Sequence, residues 1–265
     1  MTEIFSSLGI IALVITGTLS IVLIVLVYSD NPKSATNRRF FWLGFLIVVW
    51  LIANSISFLR LPPSLVLFWI RLGIFFATPM NAAFLLFAHT FPNVDFRMSR
   101  KAITSLIVAT VATMIISISP YSFTNVQSLD GVPSPTPGPG LLLFGIFSIV
   151  SNITAVYFLF KRQRSATLVE RQQIKLVMWG VALMFGMIII TVFVPIAIFQ
   201  VSTFVPLMPF YTLMFLGITA YAIVQYHLFN MKIIASKMFI SIIWIVLFSK
   251  IFVSSLFSFF TPHKV

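Results

Sequence analysis

The stretch "MTEIFSSLGIIALVITGTLSIVLIVLVY", Met1–Tyr28, has a single acid near its start and then an unbroken run of apolar and small residues. A helix of about 20 such residues crosses the roughly 30 Å hydrocarbon layer of a bilayer. The stretch lacks the basic leader and small-residue cleavage site of a signal peptide, so it reads as a retained first span. Comparable runs recur at approximately 8–28, 40–59, 65–90, 102–119, 141–160, 175–199, 203–225 and 238–260. Of the 265 residues 60% are hydrophobic and 8% charged, more apolar surface than a soluble domain of this size hides. Helices are expected because each satisfies its own backbone hydrogen bonds, and the short alternating segments of a membrane barrel are missing. The predicted fold is therefore all-α: a polytopic membrane helix bundle of seven transmembrane helices plus an eighth. Residues 1–225 form the bundle, 226–237 a polar interfacial joint, and 238–265 the eighth span with a short tail.

The net charge of +12 could suggest a nucleic-acid partner, but that needs basic residues gathered on one hydrated face, whereas these lie in short connections between apolar runs, so no nucleic acid is expected. Their distribution instead fixes an orientation. Lys33, Arg38 and Arg39 follow span one, and Arg97, Arg100 and Lys101 follow span three. Lys161, Arg162, Arg164, Arg171 and Lys175 follow span five; Lys232 and Lys237 follow span seven. The opposite side has only Arg60 and Lys264. Since Lys and Arg are retained in the cytoplasm, the N-terminus is expected on the outer side of the membrane, with the lipid bilayer as the first partner.

Two connections stand out. In "YSFTNVQSLDGVPSPTPGPG", Tyr121–Gly140, prolines at 133, 135, 137 and 139 favour extended, hydrated chain, so this outer loop is expected to be a mobile cover or spacer. In "KRQRSATLVERQQIK", Lys161–Lys175, good helix formers alternate with charges; the flanking helices should extend into it, and its cations should anchor at anionic headgroups.

Within the spans, Arg71 has two readings. It can snorkel to the nearby interface, or it can stand at the outer mouth of a cavity and meet an anionic ligand group or carbonyls freed near Pro79. Asn54, Asn81 and Asn152 fit interhelical amide bonds. Were they to converge with Arg71, the four would supply the polar contacts of an aromatic pocket for a small or lipophilic ligand. Lys250 in the last span suggests a retinal lysine only if a carboxylate counter-ion shares the bundle, yet Glu3, Asp30, Asp95, Asp130 and Glu170 fall in termini or loops. The sequon at Asn152 lies inside the membrane. Three scattered histidines and no cysteine give no metal site, no catalytic set of Ser, His and Asp is in reach, and no glycine loop cradles phosphate; neither catalysis nor a cofactor is expected. Pro79, Pro195, Pro206 and Pro209 mark kinks that serve as hinges or as passive bends.

Three stretches resemble the N-terminal seven-transmembrane sensor region of bacterial histidine kinases: "AAFLLFAHTFP" (Ala82–Pro92), "ERQQIKLVMWG" (Glu170–Gly180) and "YAIVQYHLFNMKIIASK" (Tyr221–Lys237). In the last, His227 and Asn230 stand where the family more often carries arginine and aspartate. The resemblance implies a non-catalytic sensory or regulatory input module. Its signal would leave through Tyr226, His227, Leu228, Phe229 and Asn230 towards a histidine kinase or another membrane signalling partner, with a homodimer as the implied assembly. The chain would then either continue into a kinase or act by contact with a separate effector. The alternative is a small transporter, suggested by the broken spans and Arg71, although the two halves lack a convincing inverted repeat.

Overall fold

The computed structural model describes residues 2–59, 61–92, 98–129, 132–195 and 207–224. Seven α-helices run through them: α1 (Thr2–Asp30), α2 (Ala35–Ile56), α3 (Pro63–Thr90), α4 (Arg100–Ile118), α5 (Gly140–Ser165), α6 (Leu168–Ile188) and α7 (Met208–Val224). The first six are long and apolar enough to cross a membrane, and α7 is a shorter apolar helix. They correspond to the first seven spans expected from the sequence. The proposed eighth span and the 226–237 joint lie outside the described residues.

Local chemistry sets the starts. Ser34 and Ser99 accept the amides of Asn37 and Ala102 at the heads of α2 and α4. Thr167 and Glu170 form a reciprocal capping box that opens α6 only two residues after α5 ends. The Lys161–Lys175 connection is thus almost entirely helical, as its composition predicts. Pro63 occupies the first turn of α3, where its missing amide is no loss, and Pro79 is carried within that helix.

The helices close a ring. α2 lies against α1 and α3, α3 against α4 and α5, α5 against α6, α6 against α7, and α7 returns to α1 and α2. Successive short connections alternate between two ends. One end carries the α1–α2, α3–α4 and α5–α6 connections with most of the cations and is called here the basic end; the other carries the α4–α5 connection and is called the hairpin end. The hydrophobic core is concentrated in the half nearer the basic end: Phe40, Leu43, Ile47 and Leu51 of α2, Phe84 and Phe87 of α3, Leu159 of α5, Ile174 and Val177 of α6, and Phe215 and Leu216 of α7. Phe84 meets Phe215 edge-on at 5.9 Å, joining α3 to α7 inside the ring.

α4 is built the other way round. It buries Thr110, Thr113 and Ser117, while Ile107, Val108, Val111 and Ile115 face outwards. Each buried hydroxyl donates to the carbonyl four residues earlier, at 2.6, 2.8 and 2.7 Å. A small stripe satisfied within its own helix packs closely against a neighbour, and the large apolar side chains are left for lipid.

The Tyr121–Gly140 connection departs from the expected loose cover. Phe123–Leu129 and Val132–Pro137 form an antiparallel two-stranded hairpin, β1 and β2. Leu129 pairs with Val132, and from there Ser128 pairs with Pro133 and Val126 with Pro135. Alternate prolines all fall on one edge of β2, where a backbone amide would face away from β1, so they blunt that edge without breaking the ladder. The missing donors suit a loose loop equally well; their period of two is what suits a strand edge. The hairpin's base is pinned by Gly138 N–H to the Ser122 carbonyl and Gly140 N–H to the Tyr121 carbonyl, both at 2.8 Å. A Cβ on Gly138 would collide with the Tyr121 carbonyl oxygen, so only glycine permits this approach.

Candidate functional site

The four residues expected to form one polar site occupy two layers. Arg71, near the start of α3, donates from Nε and Nη2 to the Phe123 carbonyl at 3.2 and 2.5 Å, so its partner is the first residue of the hairpin. Asn81 lies ten residues further along α3, about 15 Å away along the axis. Its Nδ2 donates to Ser148 Oγ at 3.0 Å and to the Ala77 carbonyl at 2.9 Å. Asn152 Nδ2 donates to Asn81 Oδ1 at 2.6 Å and to the Ser148 carbonyl at 2.8 Å. Asn81, Ser148 and Asn152 therefore make a closed amide–hydroxyl clamp between α3 and α5 in the middle of the bundle. In a low-dielectric layer such a clamp fixes the register of two helices that apolar packing alone would allow to slide.

Asn54 does not join it. Thr36 Oγ1 donates to the Thr90 carbonyl and Arg39 Nη1 to the Leu86 carbonyl, both at 3.0 Å, and this register puts Asn54 level with Arg71. Among the described residues no hydrogen bond links Asn54 to Arg71, Asn81 or Asn152; its carbonyl accepts Ser57 Oγ at 2.6 Å. The single pocket requiring all four is thus resolved into a hairpin latch and a separate clamp. The relay residues Tyr226, His227, Leu228, Phe229 and Asn230 lie outside the described residues.

The basic end holds a further set of ties that the sequence does not reveal. The last turn of α3 leaves carbonyls without helical partners. Arg162 Nη1 from α5 takes those of His89 and Phe91 at 3.0 and 2.8 Å, and Arg39 from α2 donates one turn earlier, to the Leu86 carbonyl. Two guanidinium groups at a helix C-terminus also match the negative end of its dipole. The His89 ring packs edge-on to Phe158 of α5 at 5.1 Å. Two neighbouring helices thereby grip one end of α3. Asn37 Nδ2 secures α1 in the same layer by donating to the Val27 carbonyl at 2.7 Å. Nothing in the order of residues separates Arg39 and Arg162 from the exposed Arg38 and Arg164, since all four sit in basic connections. Only the packing turns two of them inwards.

α6 and α7 are joined near both ends. Gln173, buried at the start of α6, donates from Nε2 to the Ala222 carbonyl at 3.0 Å. Towards the other end, α6 widens into a π-turn at Ile189–Phe193, where Thr191 Oγ1 and the Tyr211 hydroxyl are 2.8 Å apart. A π-turn inserts an extra residue into the helical ladder and is often kept where a helix must bend or bind. Between the two bonds, Gly180 allows Ile218 to approach within 3.3 Å of where a Cβ would stand.

These features define a class: a multi-pass helical membrane protein with seven apolar helices among the described residues, polar ties between helices and cations gathered at one end. The family profile for the N-terminal 7TM region of histidine kinase matches residues 12–232, and the chain belongs to that family. None of the curated proteins matches it. The three family-like stretches coincide with the ties. Ala82–Pro92 is the gripped end of α3, and Glu170–Gly180 and the start of Tyr221–Lys237 are joined by Gln173 and Ala222.

Proposed function

We propose that this membrane sensory module takes its input in the hairpin-end half and passes it through α6 and α7 to residues 226–237, which act on a histidine kinase or another signalling effector. The observation that carries the reading is the Gln173–Ala222 bond, which links the base of α6 to the last described turn of α7, immediately before Tyr226. A shift of α6 is then transmitted to the segment where the family signature begins. Arg71 and the Asn81–Ser148–Asn152 clamp are the candidate contacts for a small or lipophilic stimulus. Binding that prefers one arrangement of these ties shifts the population of the output segment by its differential affinity.

In this reading the basic end faces the cytoplasm and the N-terminus lies outside, because short connections rich in Lys and Arg are retained inside. The family resemblance supports assembly as a homodimer. Against the transporter alternative, the two halves of the chain lack a convincing inverted repeat.

The test uses the full chain carrying a photo-crosslinking residue at Leu228 or Phe229, with Tyr121 as the control position. Capture of a signalling protein from Leu228 or Phe229, weakened by Gln173→Leu, is the expected result. Uptake of a solute by proteoliposomes that is abolished by Arg71→Ala would overturn it in favour of transport.

A further inference from the structure

The α5–α6 connection carries cations that the bundle does not use. Arg162 is turned inwards onto the end of α3, and Glu170, which acts electrostatically on Arg162, accepts from the Thr167 amide and hydroxyl at 3.0 and 2.9 Å. Lys161 and Arg164 of α5, and Arg171 and Lys175 of α6, remain exposed. Lys161 and Arg164 are three residues apart on one face of α5, and Arg171 and Lys175 are four apart on one face of α6, so each pair projects together from one of two adjacent helices.

An apolar layer lies directly beneath this collar. Phe160 is one turn further into the span than Arg164, whose guanidinium stands 4.8 Å from the ring centroid. Trp179 is one turn deeper than Lys175. Phe160 is 45% and Trp179 65% exposed, so both rings face whatever surrounds the bundle. The surface thus presents positive charge above aromatic rings, in line along the helix axes.

We propose that this face of α5 and α6 is a binding site for an anionic phospholipid, with its phosphodiester among Lys161, Arg164, Arg171 and Lys175 and its acyl chains against Phe160 and Trp179. The two layers match a ligand with a charged head and an apolar body running parallel to the helices. An acidic protein segment or free phosphate would use the cations but has no body to occupy the ring layer. The site is independent of the sensory reading, since it is tested by binding and not by signalling.

The experiment measures retention of phosphatidylglycerol against phosphatidylcholine by the purified full chain in native mass spectrometry, and competition between the same lipids in nanodiscs. Four chains are compared. One carries Gln at Lys161, Arg164, Arg171 and Lys175. A second carries Gln at Lys33, Arg38, Arg100 and Lys101, the same charge removed elsewhere at the basic end. A third exchanges Lys for Arg and Arg for Lys at the four proposed positions, and the fourth carries Phe160→Ser with Trp179→Ser. The expected result is a fall in phosphatidylglycerol retention of about tenfold in the first, little change in the second and third, and a several-fold fall in the fourth. Equal losses in the first and second would overturn the proposal, because diffuse surface charge would then suffice. So would unchanged retention in the fourth, or displacement of the lipid by inorganic phosphate alone. Helical content and monodispersity, compared across the set, identify any variant that fails to fold, and the charge-retaining third chain keeps the four positions testable in a folded protein.

Discussion

At Gln173 a single amide bridges two helices, and its chemistry is more exacting than its position near a loop suggests. The side chain is buried and donates to the Ala222 carbonyl, so Gln173→Leu, which preserves volume, leaves that carbonyl without this donor. The expected loss of stability is about 1 kcal/mol, read as a lower unfolding temperature in nanodiscs. The same substitution should uncouple stimulus from output, a separation that a merely structural role would not produce. Arg162 carries more. Arg162→Gln removes a charged donor from two carbonyls at the end of α3, for an expected loss of about 1–3 kcal/mol by the same measurement, whereas the exposed neighbour Arg164→Gln should shift unfolding little.

Among the elements, α1 and α2 approach closely because residue 44 has no side chain. A Cβ on Gly44 would run into Cγ1 of Ile24 and stand 2.7 Å from its Cδ1, and both residues are buried. Gly44→Ala is therefore expected to destabilise the bundle by about 1–3 kcal/mol. Ile24→Ala should recover part of that loss when the two are combined, and a double-mutant cycle on thermal unfolding reads the coupling directly. The hairpin depends on another glycine. Gly138→Ala sets a methyl group against the Tyr121 carbonyl, which should spread the base of β1 and β2 and move Phe123 away from Arg71. The expected sign is faster amide exchange at Gly138 and Gly140, whose N–H groups close that base. For α4 the lesson is different. Its apolar run announces a span, but which side of it faces protein follows from Thr110, Thr113 and Ser117, small residues that a hydropathy average hides.

For the whole molecule, the alternating placement of cations is the property most directly open to experiment. The chain contains no cysteine, so single cysteines can be introduced without background. Placed at Lys33, Lys101 and Arg164 they should react with an impermeant reagent from the cytoplasmic side only, and one at Tyr121 from the opposite side. Labelling of the first three from the exterior would reverse the proposed orientation.

The helical membrane bundle, the order of its spans and the crowding of Lys and Arg into alternate connections were legible in the residues themselves. A bilayer imposes a length, an internally satisfied backbone and a charge bias, all of which are read one segment at a time. Which polar side chains meet was decided only by tertiary structure. Arg71 and Asn81 share a helix yet serve different layers, while Asn81 and Asn152, 71 residues apart in sequence, share a hydrogen bond. The same holds for Arg39 and Arg162, turned onto the end of α3 while their neighbours stay outside. The reason is geometric: a side chain's partner depends on the rotation and register of two packed helices, quantities that no single segment encodes.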